Sequence, residues 1–127
     1  MGTRSRIGIE LSDDSILSVY HHWDGYPEWL GRILNTHYNS KDKVSELIDG
    51  GDMSVCWSMD GPRYYSQRGE DCPPRLDNDL CEYLLPDNSE EFAYVFRNDK
   101  WVCYDMHLFD YRKLPEVVPI PKGALMD

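Results

Sequence analysis

Between residues 22 and 28 the chain reads His22-Trp23-Asp24-Gly25-Tyr26-Pro27-Glu28, a run in which an extended segment has to end and a helix has to begin. Asp24-Gly25 supplies a turn, and Pro27 drives Tyr26 into an extended conformation while its own missing N–H costs nothing in the first turn of a helix. Glu28 then falls in that first turn, where a carboxylate complements the helix dipole. One short corner therefore concentrates an imidazole, two aromatic rings and two carboxylates.

Elements on either side of the corner follow from periodicity. Ile7, Ile9 and Leu11 alternate with Arg6, Gly8 and Glu10, Ser12-Asp13-Asp14-Ser15 makes a turn, and the β-branched and aromatic run 16–23 returns, which predicts an N-terminal hairpin. Leu30, Ile33, Leu34 and His37 recur at helical spacing and predict a helix over 27–38. A second, shorter helix capped by Asn39 or Ser40 carries Val44, Leu47 and Ile48 and stops at Gly50-Gly51. Residues 53–58 read as a further strand, whereas 58–88 mix glycines, prolines and charges without a sustained period, so this stretch is expected as an irregular excursion that covers a site or moves.

Late in the chain, residues 91–97 and 100–107 flank Asn98-Asp99, a pair suited to a tight hairpin that sets Phe96 opposite Trp101 and Tyr94 opposite Cys103. Residues 114–127 form an extended Pro-rich tail. A chain of 127 residues with 41% hydrophobic and 13% aromatic side chains can build one core, and one domain over 1–127 is expected. The fold class expected is α+β: a small antiparallel sheet built from an N-terminal and a C-terminal hairpin, with two consecutive helices packed on it.

Charge and cysteine usage narrow the function classes. A net charge of −10 opposes direct nucleic-acid binding, which needs Lys and Arg to displace phosphate counterions, and it favours a cationic partner or simple solubility. No apolar run is long enough to span a membrane and no apolar signal region follows Met1, so a cytoplasmic location is expected. The four cysteines lack any C-x-x-C spacing and read as reduced thiols. Neither they nor His21, His22, His37 and His107 have metal-ligand spacing, so no metal and no cofactor is expected.

Catalytic signatures are equally sparse: there is no G-x-S-x-G elbow, no phosphate-cradling glycine loop and no cysteine with a histidine close in sequence. A ligand site remains. Trp23 and Tyr26 can sandwich a flat base or sugar while His22 and Asp24 supply hydrogen bonds, and Arg6, on a strand, with Arg32, on the first helix, can converge into a bidentate anion clamp. The competing structural role is that the corner residues only staple helix to sheet and that each arginine makes an ordinary surface salt bridge.

The stretches 6–10 and 18–28, followed by Gly31-Arg32 and Asn35-Thr36-His37-Tyr38, resemble a family of small phage-encoded accessory proteins whose hallmark is a strand ending in H-W-D-G-Y-P. The resemblance covers residues 6–51 and extends to the hairpin Phe92-Ala93-Tyr94-Val95-Phe96 with Lys100-Trp101-Val102; residues 58–88 carry none. It implies a viral accessory role in the host cell and brings no catalytic residue with it. Small phage accessory proteins often counter host defence by stoichiometric binding, either blocking a protein effector or sequestering a nucleotide-derived immune signal, and the resemblance implies such a role. The expected function is a non-enzymatic binder that sequesters a nucleotide-derived small molecule. The alternatives are an acidic inhibitor of a host effector protein and, third, a small hydrolase or nucleotide-modifying enzyme using His22 and Asp24. Exposed sheet edges and the apolar tail also suit a homodimer.

Overall fold

Alternation along the first strand divides the protein into two layers. The computed structural model describes residues 3–57, 61–85, 90–107, 112 and 115–123. In β1 (Ser5–Glu10), Ile7 and Ile9 join a core with Val19, Tyr94 and Phe96, while Gly8 faces the other way and leaves room for Tyr83. A Cβ at Gly8 would stand 2.9 Å from Ile16 and 3.1 Å from the Tyr83 ring, so this strand position accommodates only hydrogen.

β1 pairs antiparallel with β2 (Ile16–His21), and β6 (Phe92–Arg97) pairs antiparallel with β7 (Lys100–Asp105), as the two predicted hairpins require. Asn98 and Asp99 adopt φ of 52° and 62°, and Phe96 lies opposite Trp101 and Tyr94 opposite Cys103, matching the expected register. The Phe96 and Trp101 rings meet edge-on with centroids 5.3 Å apart.

The overall architecture departs from the expected one. Instead of a small antiparallel sheet of two hairpins beneath two consecutive helices, the strands form one mixed eight-stranded sheet, ordered β4 (Gly61–Tyr64), β3 (Met53–Trp57), β2, β1, β6, β7 and β8 (Glu116–Val118), with β5 (Arg75–Asp77) also pairing to β2. Two parallel ladders make the difference: β1 runs parallel to β6, and β2 runs parallel to β3 (Met53–Trp57) after a helical crossover. Such ladders join residues far apart in sequence, and neither leaves a local turn signature. Residues 61–85, within the stretch expected to be irregular, supply β4 (Gly61–Tyr64), a 3-10 turn at Tyr65–Arg68, β5 (Arg75–Asp77) and a third helix, α3 (Leu80–Tyr83). The tail adds β8 (Glu116–Val118) on β7. Residues 58–60, 86–88, 114 and 124–127, included in the expected excursion and tail, lie outside the described residues.

The crossover carries a π turn at Pro27–Gly31, then α1 (Arg32–His37) and α2 (Lys41–Asp49), the latter capped by Ser40 Oγ accepting the Lys43 N–H. Leu30, Ile33, Leu34, Val44, Leu47 and Ile48 bury the helices on the Ile7–Ile9 face. On the opposite face α3 covers a smaller cluster in which Tyr83 and Leu84 meet Ile16, Val95 and Tyr104. Among the described residues no helix is long and apolar enough to cross a membrane.

Candidate functional site

The corner that stands out in the sequence is held mainly by backbone. Asp24 takes the left-handed φ of 57°, Tyr26 is extended, and Pro27 opens the π turn, with the Tyr26 carbonyl accepting the N–H groups of Trp29 and Leu30. Gly25 is buried: its N–H donates to Thr3 O at 2.8 Å, and its carbonyl accepts the Tyr94 hydroxyl at 2.7 Å. A Cβ there would collide with Ser5 and stand 2.7 Å from the Thr3 carbonyl, which explains the glycine.

Only part of the corner faces outward. The Trp23 N–H bonds Ser54 O, extending the β2–β3 ladder, while its side chain is 45% exposed. His22 is half-buried, stands edge-on to Trp23 at 4.6 Å, and its Nδ1 lies 2.7 Å from the Tyr20 hydroxyl. Asp24 and Tyr26 are both half-buried.

The two arginines do not form a clamp. Arg6 is 5% exposed and turned to the α3 face, where its Nε donates to Ser18 Oγ at 3.1 Å and Nη1 lies 3.9 Å from Glu90. Arg32 belongs to α1, across the sheet, and its buried Nε has no hydrogen-bond partner among the described residues. Alternation decides this geometry: with Ile7 committed to the helix face, Arg6 must point away from it.

A polar seam lies beside the corner. The outer edge of β2 pairs with β5 at Ile16–Ser18 and with β3 at His21; between them the Tyr20 N–H donates to Asp52 Oδ1 at 2.8 Å. Burial raises the Asp52 carboxyl above the usual range, and the Arg6 and Arg75 charges pull it back. Asp52 thus satisfies a ladder donor left open by the change of partner strand. Close by, His21 is fully buried; its Nε2 accepts the Cys56 N–H at 3.0 Å, which places the proton on Nδ1, 3.4 Å from Ser5 Oγ. Burial, with the adjacent His22 adding to it, pushes its pKa down to about 3, so the ring is a neutral strut.

A concave feature lies elsewhere. A cleft of about 320 Å³ opens between α2, the end of α1 and β4, lined by Tyr38, Leu47, Gly50, Pro62 and Tyr64 together with the exposed Lys43 and Glu46. The two tyrosines are held differently. The Tyr64 hydroxyl donates to Leu47 O at 2.5 Å, and the Tyr38 carbonyl accepts the Trp101 indole N–H at 2.8 Å while its hydroxyl accepts the Cys56 thiol at 3.9 Å. Burial, reinforced by Cys56 and Glu46, raises both phenols, Tyr64 to about 12, so each stays neutral in the physiological range. None of the six residues expected to bind a ligand lines this cleft.

Burial raises the Cys56 and Cys103 thiols to about 12, which removes the thiolate a nucleophile needs. Among the described residues no group of three His, Cys, Asp or Glu side chains is placed to hold a metal. Sequence reasoning missed the cleft because Tyr38 and Tyr64 are remote in sequence and Gly50 reads there only as a helix stop. The signal available was a glycine pair beside a helix whose exposed face carries Lys43 and Glu46. No protein-family profile matches the chain. No curated protein matches its sequence, and no solved structure matches it.

Proposed function

We propose that the protein is a non-enzymatic binder that holds a flat, ring-bearing small molecule of nucleotide type in the cleft between α2 and β4, acting in the host cell as a phage-type accessory protein in counter-defence. The observation that carries this reading is the pair of neutral tyrosine rings, Tyr38 and Tyr64, lining one cleft of about 320 Å³, the second held in place by its hydroxyl bond to Leu47 O. Small-ligand sites are concave, mostly apolar and largely pre-formed, and a base stacked on an aromatic side chain gains roughly 1–3 kcal/mol. Holding the Tyr64 ring beforehand spares the ligand the entropy of ordering it. The sequence resemblance to phage accessory proteins supports the biological setting.

Calorimetric titration with nucleotides and cyclic nucleotide signals tests the reading, followed by chromatography of the recovered ligand. One ligand per chain, recovered unchanged and bound more weakly by Tyr38→Ala, is the expected result. Conversion to product, or affinity indifferent to Tyr38→Ala, contradicts it.

A second reading, an acidic inhibitor of a host protein, is favoured by Trp23: a 45% exposed indole on a chain of net charge −10 is the kind of residue that anchors a protein interface. Salt-sensitive capture of a basic partner, lost in Trp23→Ala, is its signature.

A further inference from the structure

The cleft carries two charges of opposite sign that the fold does not use. Lys43 and Glu46 are three residues apart on α2 and therefore on one face of it. Both are exposed cleft-lining residues, and neither forms an ion pair among the described residues. A purely apolar ring would use neither. A simple anion would gain from Lys43 and be repelled by Glu46. Both are used by a ligand that places hydroxyl donors beside an anionic group, and ribose with an attached phosphate has that order of groups.

Size and charge restrict the ligand further. About 320 Å³ is near the lower end of the roughly 300–1,000 Å³ typical of ligand pockets, room for one nucleotide rather than a dinucleotide. The net charge of −10 penalises each additional negative charge on an approaching ligand, which favours a monophosphate over a triphosphate. Building on the ring-binding reading above, we infer that the cleft takes a single ribonucleoside monophosphate: the base against Tyr38 and Tyr64, the ribose hydroxyls donating to the Glu46 carboxylate, and the phosphate facing Lys43.

Calorimetric titration of the full chain with AMP, GMP, CMP and UMP tests this inference, with indole as a neutral flat-ring probe. At least one monophosphate binds one to one; removing its phosphate or its 2′-hydroxyl weakens binding about tenfold each, the scale of a charge-assisted hydrogen bond, and the triphosphate binds no tighter. Lys43→Ala removes the preference for monophosphate over nucleoside, and Glu46→Ala removes the preference for ribose over deoxyribose. Circular dichroism should show both variants folded, since both side chains are exposed. A nucleoside that binds as tightly as its monophosphate, or preferences that survive both substitutions, overturns the inference and leaves ring binding standing. So does binding of indole without any monophosphate. Failure of indole and all four monophosphates overturns both.

Discussion

The Tyr64 ring occupies the space that a side chain on Gly50 would need, with Cζ and both Cε atoms crowded around the point where a Cβ would stand. Gly50 itself has ordinary helical dihedrals, φ −72° and ψ −13°, so alanine fits the backbone there and any penalty comes from the displaced ring. Gly50→Ala should force Tyr64 out, break its bond to Leu47 O and cost about 1–3 kcal/mol, less the few tenths that alanine returns through propensity. Urea unfolding checks the stability, and titration checks ligand affinity. A variant as stable as the parent with undiminished binding would contradict the packing described.

Acid sensitivity should trace to His21. Its folded pKa of about 3 lies below the ordinary 6.5, so between those values the unfolded chain takes up a proton that the native state refuses. Its contribution is therefore constant above pH 6.5 and declines as the pH falls from there toward 3, by about 1.4 kcal/mol per pH unit. Stability measured from pH 7 to 4.5 should fall more steeply in the parent than in His21→Gln. Parallel curves would mean that His21 takes up a proton in the folded state.

His107 works in the opposite direction. Its Nδ1 lies 2.6 Å from Asp105 and its Nε2 3.2 Å from Glu91, and the Asp105 hydrogen bond leads in raising its pKa despite partial desolvation. The stabilisation is fully present below pH 6.5 and is lost as the pH rises through the raised folded value. With the side chain 47% exposed, the effect on stability is small, so an NMR titration is the suitable measurement. The midpoint should lie above 6.5 and drop in Asp105→Asn.

At the corner, stability and exposure should separate. Tyr94→Phe removes the hydroxyl that bonds the buried Gly25 carbonyl and should cost about 1–3 kcal/mol. Trp23→Ala, at a 45% exposed position, should change stability by about 0.5 kcal/mol or less. Thermal melts of the two variants compare them directly, and the reverse ranking would mean that the corner is held by its indole.

What was legible in the sequence was local. Alternation exposed Ile7 and Ile9, Asn98-Asp99 set the register of the second hairpin, and Asn39-Ser40 marked the start of α2, with Ser40 the residue that caps it. The parallel pairing of β1 with β6 was not legible, because it depends on chain ends meeting in space. Nor was β5, whose Arg75-Leu76-Asp77 is too short for a period and gains its place by pairing with Ile16, Leu17 and Ser18 of β2. The conspicuous corner residues proved divided between scaffold and surface: Gly25 and Pro27 are buried, and Trp23 is open. The cleft residues were invisible for the converse reason, since Tyr38, Gly50 and Tyr64 come to line one cleft only once α2 has packed beside β4.

The seat of binding can be read directly from amide chemical shifts during titration of labelled protein with the tightest-binding ring-bearing ligand. Perturbations clustered on Tyr38, Lys43, Leu47, Gly50 and Tyr64 are predicted, with the amides of His22 and Trp23 unmoved. Shifts centred on His22 and Trp23, with the α2–β4 cleft silent, would contradict the account.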